Sequence, residues 1–86
     1  LLVHLERPAD ALRAVSAALK PGGAMVCEEC DVSAVYAEPR CEFYDQMREF
    51  VLQVGRNRKV DYAGGRRAHL WALEAGFQIE HLDAYQ

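Results

Sequence analysis

Apolar residues fall first as a short run, then at helical spacing. Leu1-Leu2-Val3-His4-Leu5 predicts a buried strand or its C-terminal end. Pro8 suits the first turn of a helix, where its missing N–H does no harm. Leu12, Val15 and Leu19, with Ala11 and Ala18 beside them, predict a helix over residues 9–20. Lys20 suits the negative end of that helix, and Pro21-Gly22-Gly23 stops it. Ala24–Cys30 opens on the continuous run Ala24-Met25-Val26-Cys27, the pattern of a parallel strand covered on both faces.

Residues 31–40 read as a loop, broken by Asp31, Ser33 and Pro39. Phe43, Met47, Phe50, Val51 and Val54 form a helical stripe that ends at Gly55. A polar loop over 56–64 precedes a last helix, from about Gly65 to Ala75, stopped by Gly76. Phe77, following that glycine, can fold back on Leu73 in a Schellman ending. Phe77–Tyr85 reads as a final strand. Strands separated by helices predict the α/β class, with a mostly parallel sheet of about three strands and flanking helices.

The 86 residues make at most one small domain. A net charge of −3 gives no general attraction to nucleic acid or acidic membranes. No apolar run has the length of a membrane span, and the N-terminus lacks a signal-peptide pattern. The first residues, Leu1-Leu2-Val3 rather than Met, read as the interior of a longer chain. Three cysteines are an odd count, which argues against a disulfide framework and for a reducing, cytoplasmic setting.

Two stretches carry a family resemblance. "LLVHLERPADALRAVSAALKPGGAMVCEECD" and "VDYAGGRRAHLWALEAGF" resemble the second half of class I S-adenosylmethionine-dependent methyltransferases. The likeness runs from Leu2 to about Leu82. It implies a partial Rossmann-like fold, with residues 1–86 as the C-terminal portion of the domain. It implies methyl transfer to a small-molecule acceptor, with S-adenosyl-L-methionine held mostly by a glycine-rich half that this sequence does not contain. Gly22-Gly23 and Gly64-Gly65 lack the spacing of such a loop. The alternative is a non-catalytic binding or pairing module derived from the same half-fold.

Glu28, Glu29 and Asp31 fall at the predicted C-terminal edge of a parallel strand, where α/β ligands bind. A carboxylate there can orient a substrate group or accept its proton, or it can be a solvated strand end. His4, on the same predicted edge, is a candidate base or a packed residue. The resemblance places Val3 and His4 beside the cofactor. Arg66 can recognise an anion or substrate, or, like Arg67, pair with Asp61, Glu74 or solvent. Phe43, Met47 and Phe50 read mostly as core, while Tyr36 and Tyr44 can wall a substrate pocket. Glu29, Asp31, Tyr36, Tyr44 and Arg66 are therefore the substrate-binding candidates.

Cys27 and Cys30 form a C-x-x-C whose side chains would point to opposite faces of a strand. That is poor geometry for one metal, and free thiols with no metal are expected. A narrow sheet would leave apolar edges at Leu1–Leu5 and beside Ala24–Cys30, open to self-association.

Overall fold

The computed structural model describes residues 1–86. The architecture is helical: α1 spans Pro8–Ala18, α2 Glu42–Asn57 and α3 Ala68–Glu74, with short 3-10 turns at Leu2–His4, Val32–Ala34 and Gly64–Arg67. No strand is present, and the expected parallel sheet, with it the α/β and partial Rossmann-like assignment, is overturned.

The reason lies in the backbone hydrogen bonds. A strand exists only through a ladder to a neighbour. Leu1–Leu5 instead curls into a turn, with the N–H groups of His4 and Leu5 donating to the carbonyls of Leu1 and Leu2 at 3.1 and 3.0 Å. Ala24–Cys30 has no regular secondary structure, and its only backbone–backbone bond is the Cys30 carbonyl accepting from the Gly65 N–H at 3.0 Å. Gln78–Gln86 makes none. No ladder joins the two segments. The sheet edges through which self-association was expected are therefore not formed.

The helices follow the local signals closely. Pro8 occupies the first turn of α1. That helix ends at Ala18, so Lys20 lies beyond its dipole rather than at its end. α2 continues past Gly55 to Asn57. The predicted last helix begins as the Gly64–Arg67 3-10 turn before becoming α3. Its end is a Schellman motif: Phe77 N–H donates to the Ala72 carbonyl and Gly76 N–H to that of Leu73, both at 3.0 Å. Gly76 holds φ at 93° there, a left-handed value that glycine adopts without a Cβ penalty.

The core is small. Leu2, Leu12 and Ala72 form its buried centre, with Leu5, Ala11, Met25, Trp71, Ala75 and Phe77 packed around them. α1 lies against α3, and Arg13 bridges the two by donating to the Glu74 carbonyl at 3.4 Å. Phe77 thus packs on this cluster, whereas Leu73 is half exposed. The stripe expected to be core on α2 is not: Phe43 is 70% and Phe50 66% exposed. The principal extents are 49 × 27 × 14 Å. The shortest is little more than one helix diameter, so the helices form a single layer with nothing behind it. The radius of gyration, 15.0 Å, exceeds the roughly 12 Å of a compact domain this long.

One glycine fixes the join between Ala24–Cys30 and the α3 end of the molecule. A Cβ on Gly65 would stand 2.6 Å from the Cys30 carbonyl carbon and oxygen and 2.8 Å from the Glu29 oxygen. These are backbone atoms and cannot swing away. Gly65→Ala is expected to cost about 1–3 kcal/mol, as overpacking does, read as a lowered urea midpoint. A variant as stable as the parent would show that the join is not tight.

Candidate functional site

The candidate site is the seam where residues 29–33 cross residues 61–67. Two backbone bonds hold it: Gly65 N–H to the Cys30 carbonyl and Val32 N–H to the Tyr62 carbonyl, each 3.0 Å. Asp31 caps the Val32–Ala34 turn. Its Oδ1 accepts from the Ser33 N–H at 2.9 Å and from the Ser33 hydroxyl at 2.5 Å. Arg66 completes the cluster, with Nε donating to Asp31 Oδ2 and Nη2 to Ser33 Oγ, both at 2.6 Å. Arg67 pairs with Asp61 at 2.7 Å, the plain ion pairing open to it from sequence.

Glu29 works on the other side of the seam. Its side chain is 3% exposed. Oε1 accepts from the Leu2 N–H at 2.7 Å and from the Leu1 amine at 3.0 Å, while Oε2 accepts from the Val3 N–H at 3.4 Å. The carboxylate thereby satisfies donors at the start of the first turn, which have no partner within it. The Val3 side chain is buried in the core, while His4 is exposed with its ring edge-on to Tyr62, centroids 5.4 Å apart.

Protonation follows from these partners. Desolvation pushes Glu29 up, but the hydrogen bonds it accepts from the first turn, led by the Leu2 N–H, outweigh it and hold the carboxyl below its usual range. Desolvation also pushes Asp31 up, and the Ser33 hydroxyl and Arg66 guanidinium bring it below the ordinary aspartate value. Both groups are held as carboxylates whose oxygens already accept hydrogen bonds, and a lowered pKa makes each a weak base for a substrate proton. The Glu28 carboxylate near Tyr85 pushes that phenol's pKa up. His4 and Glu28 are the catalytic candidates whose side chains make no hydrogen bond, and of the two only His4 stands against the seam, edge-on to Tyr62.

The seam brings together His4, Glu29, Asp31 and Arg66. Tyr44 instead lines a separate pocket on α2, and Tyr36 is exposed. Ser33 and Tyr62 belong to the seam but were not singled out from sequence. The Asp-x-Ser spacing was the available signal for Ser33, since an aspartate side chain caps the N–H two residues on.

Cys27, Cys30 and Cys41 are free and exposed. Partial desolvation, and then the Glu29 charge, push the Cys27 thiol up, away from the thiolate form that binds metals. No three His, Cys, Asp or Glu side chains assemble in metal-binding geometry. No helix is long and apolar enough to cross a membrane.

Over 82 residues, 95% of its length, the chain is 27% identical to a Schizosaccharomyces pombe protein named "Uncharacterized methyltransferase C1B3.06c". The chain spans 29% of that protein's length. No protein-family model matches, and no solved structure does. The distant likeness is thus to a methyltransferase.

Depressed carboxyl pKa values stabilise the fold above the unfolded values, about 4. That stabilisation is lost as pH falls through the lower folded values. Glu29→Gln and Asp31→Asn are each expected to lower the thermal midpoint at pH 7. The gap from the parent should close as pH drops below about 4. Circular dichroism melts across that range check this, and a gap independent of pH would count against the assignment.

Proposed function

We propose that this chain is the acceptor-side portion of an S-adenosylmethionine-dependent methyltransferase acting on a small molecule. The observation that carries the reading is the seam itself, in a chain with distant likeness to a methyltransferase along nearly its whole length. There His4 stands exposed against Tyr62, whose carbonyl holds the Val32 end of the Asp31–Ser33–Arg66 cluster.

S-adenosylmethionine supplies a methyl group already activated as a sulfonium. The residues present do not enclose such a group. Val3 is buried, and of the pair Val3 and His4 only the His4 ring is free to touch a ligand. No step is therefore routed through the cofactor on this chain, and its site lies chiefly on further polypeptide. What these residues do is position the acceptor. The engaged carboxylates and Arg66 make a rigid, charge-compensated rim, and His4 takes the acceptor's proton where the nucleophile carries one. Three free cysteines suit a reducing compartment such as the cytoplasm.

A second reading, a non-catalytic binding module, draws on the same locked carboxylates. With Glu29 and Asp31 engaged, His4 is the one candidate base at the seam left free to serve. Calorimetric titration with S-adenosylmethionine is expected to show no tight binding by the 86 residues alone. The full polypeptide that carries them should bind it and transfer methyl groups. In that protein His4→Gln should lower kcat by about 10²–10⁴ with KM little changed, the range for loss of a general base. Tight binding by the 86 residues would overturn the acceptor-side assignment. No transfer by the full polypeptide would favour the binding module.

A further inference from the structure

A second concavity lies apart from the rim, between the Val32–Ala34 turn and α2. It is an open pocket of about 320 Å³ walled by Val32, Val35, Tyr44, Met47, Arg48 and Val51. That volume is at the lower end of small-molecule sites, and apolar walls with few polar groups are typical of them. Pocket and seam share a turn, because Val32 sits in the chain between Asp31 and Ser33.

The one charged wall residue has no charge to offer a ligand. Arg48 Nη1 donates to the Val35 carbonyl at 3.0 Å and to Asp45 Oδ1 at 3.3 Å. Its Nε lies 3.8 Å from Glu49 Oε1. The other Asp45 oxygen, Oδ2, accepts from Arg40 Nε at 3.1 Å. Two arginines and two carboxylates cancel locally. An anion or cation entering beside the apolar walls would shed water and find no unpaired counter-charge, which is unfavourable. An uncharged apolar group loses nothing comparable and gains from leaving water.

We propose that this pocket takes the uncharged, apolar body of the methyl acceptor, an aromatic or branched aliphatic small molecule. The assignment of the ligand as acceptor rests on the methyltransferase reading; the pocket's preference for uncharged ligands does not.

Two fluorescent probes that share their rings test the preference, N-phenylnaphthylamine and its sulfonated counterpart anilinonaphthalenesulfonate. Both are titrated into the chain without S-adenosylmethionine. The neutral probe should saturate a single site, and the sulfonate should bind about tenfold or more weakly, a difference of about 1.4 kcal/mol. Val51→Gln should weaken the neutral probe by a similar factor. Met47→Gln, at a half-exposed position, should do the same, and guards against a folding defect at Val51. Phe43→Gln, on α2 outside the pocket, should leave binding unchanged.

Equal binding of the two probes overturns the proposal, as does undiminished binding by folded Val51→Gln and Met47→Gln variants. Probe binding that falls as protein concentration rises, with dimer formation by light scattering, also overturns it and assigns the pocket to a second copy of the chain. Failure of methyl transfer by the full polypeptide leaves the probe result intact. Failure of the probe leaves the methyltransferase reading standing with a different acceptor.

Discussion

The structure depends on the short segment Glu29–Asp31, which is tied on both sides. Glu29 satisfies the N–H groups of Leu2 and Val3. Cys30 offers its carbonyl to Gly65, and Asp31 holds Ser33 and Arg66. Three consecutive residues thus join the N-terminal turn, the Val32–Ala34 turn and the approach to α3. The ties are charged or backbone hydrogen bonds rather than apolar packing. Such bonds fix geometry sharply, and they are costly to break where a nearly buried group would be left unpaired.

That reliance on polar ties follows from how little the chain buries. A domain closes its core between two layers, and here a single helical layer only 14 Å deep carries the whole fold. Val26, within Ala24–Cys30, is 97% exposed. The Leu2, Leu12 and Ala72 centre is what remains where α1 and α3 touch. The 46 backbone–backbone hydrogen bonds fall short of the roughly 60 usual for this length. The shortfall lies in Ala24–Cys30 and Gln78–Gln86, segments without ladders. In such a frame the carboxylates near the site serve structure first.

Much of the local structure was legible in the residues. Pro8, Pro21-Gly22-Gly23 and Gly76 punctuate the chain through their own dihedral preferences, which act within a few residues. They placed α1, its stop and the Schellman end of α3 with only small shifts of boundary. The acidic cluster and Arg66 were also recognisable as chemistry. That Arg66 belongs to Asp31 was not, because the two lie 35 residues apart and only the crossing at Gly65 brings them together. The Asp-x-Ser cap of Ser33 was a local signal that passed as a loop breaker.

The sequence by itself determined where the three α-helices lie, since torsional preference and apolar spacing are properties of near neighbours, while Leu1–Leu5, read as a strand, curls into a 3-10 turn. Only the tertiary structure decided whether extended segments become a sheet. A strand is made by the hydrogen bonds of its partner, and no ladder runs alongside Ala24–Cys30 or Phe77–Tyr85. The same logic divides the apolar stripes. Spacing marked those of α1 and α2 alike as core, yet Leu12 is 2% exposed and Phe43 stands open. Burial belongs to the surface that covers a residue, and α3 covers the Leu12 face while nothing covers Phe43.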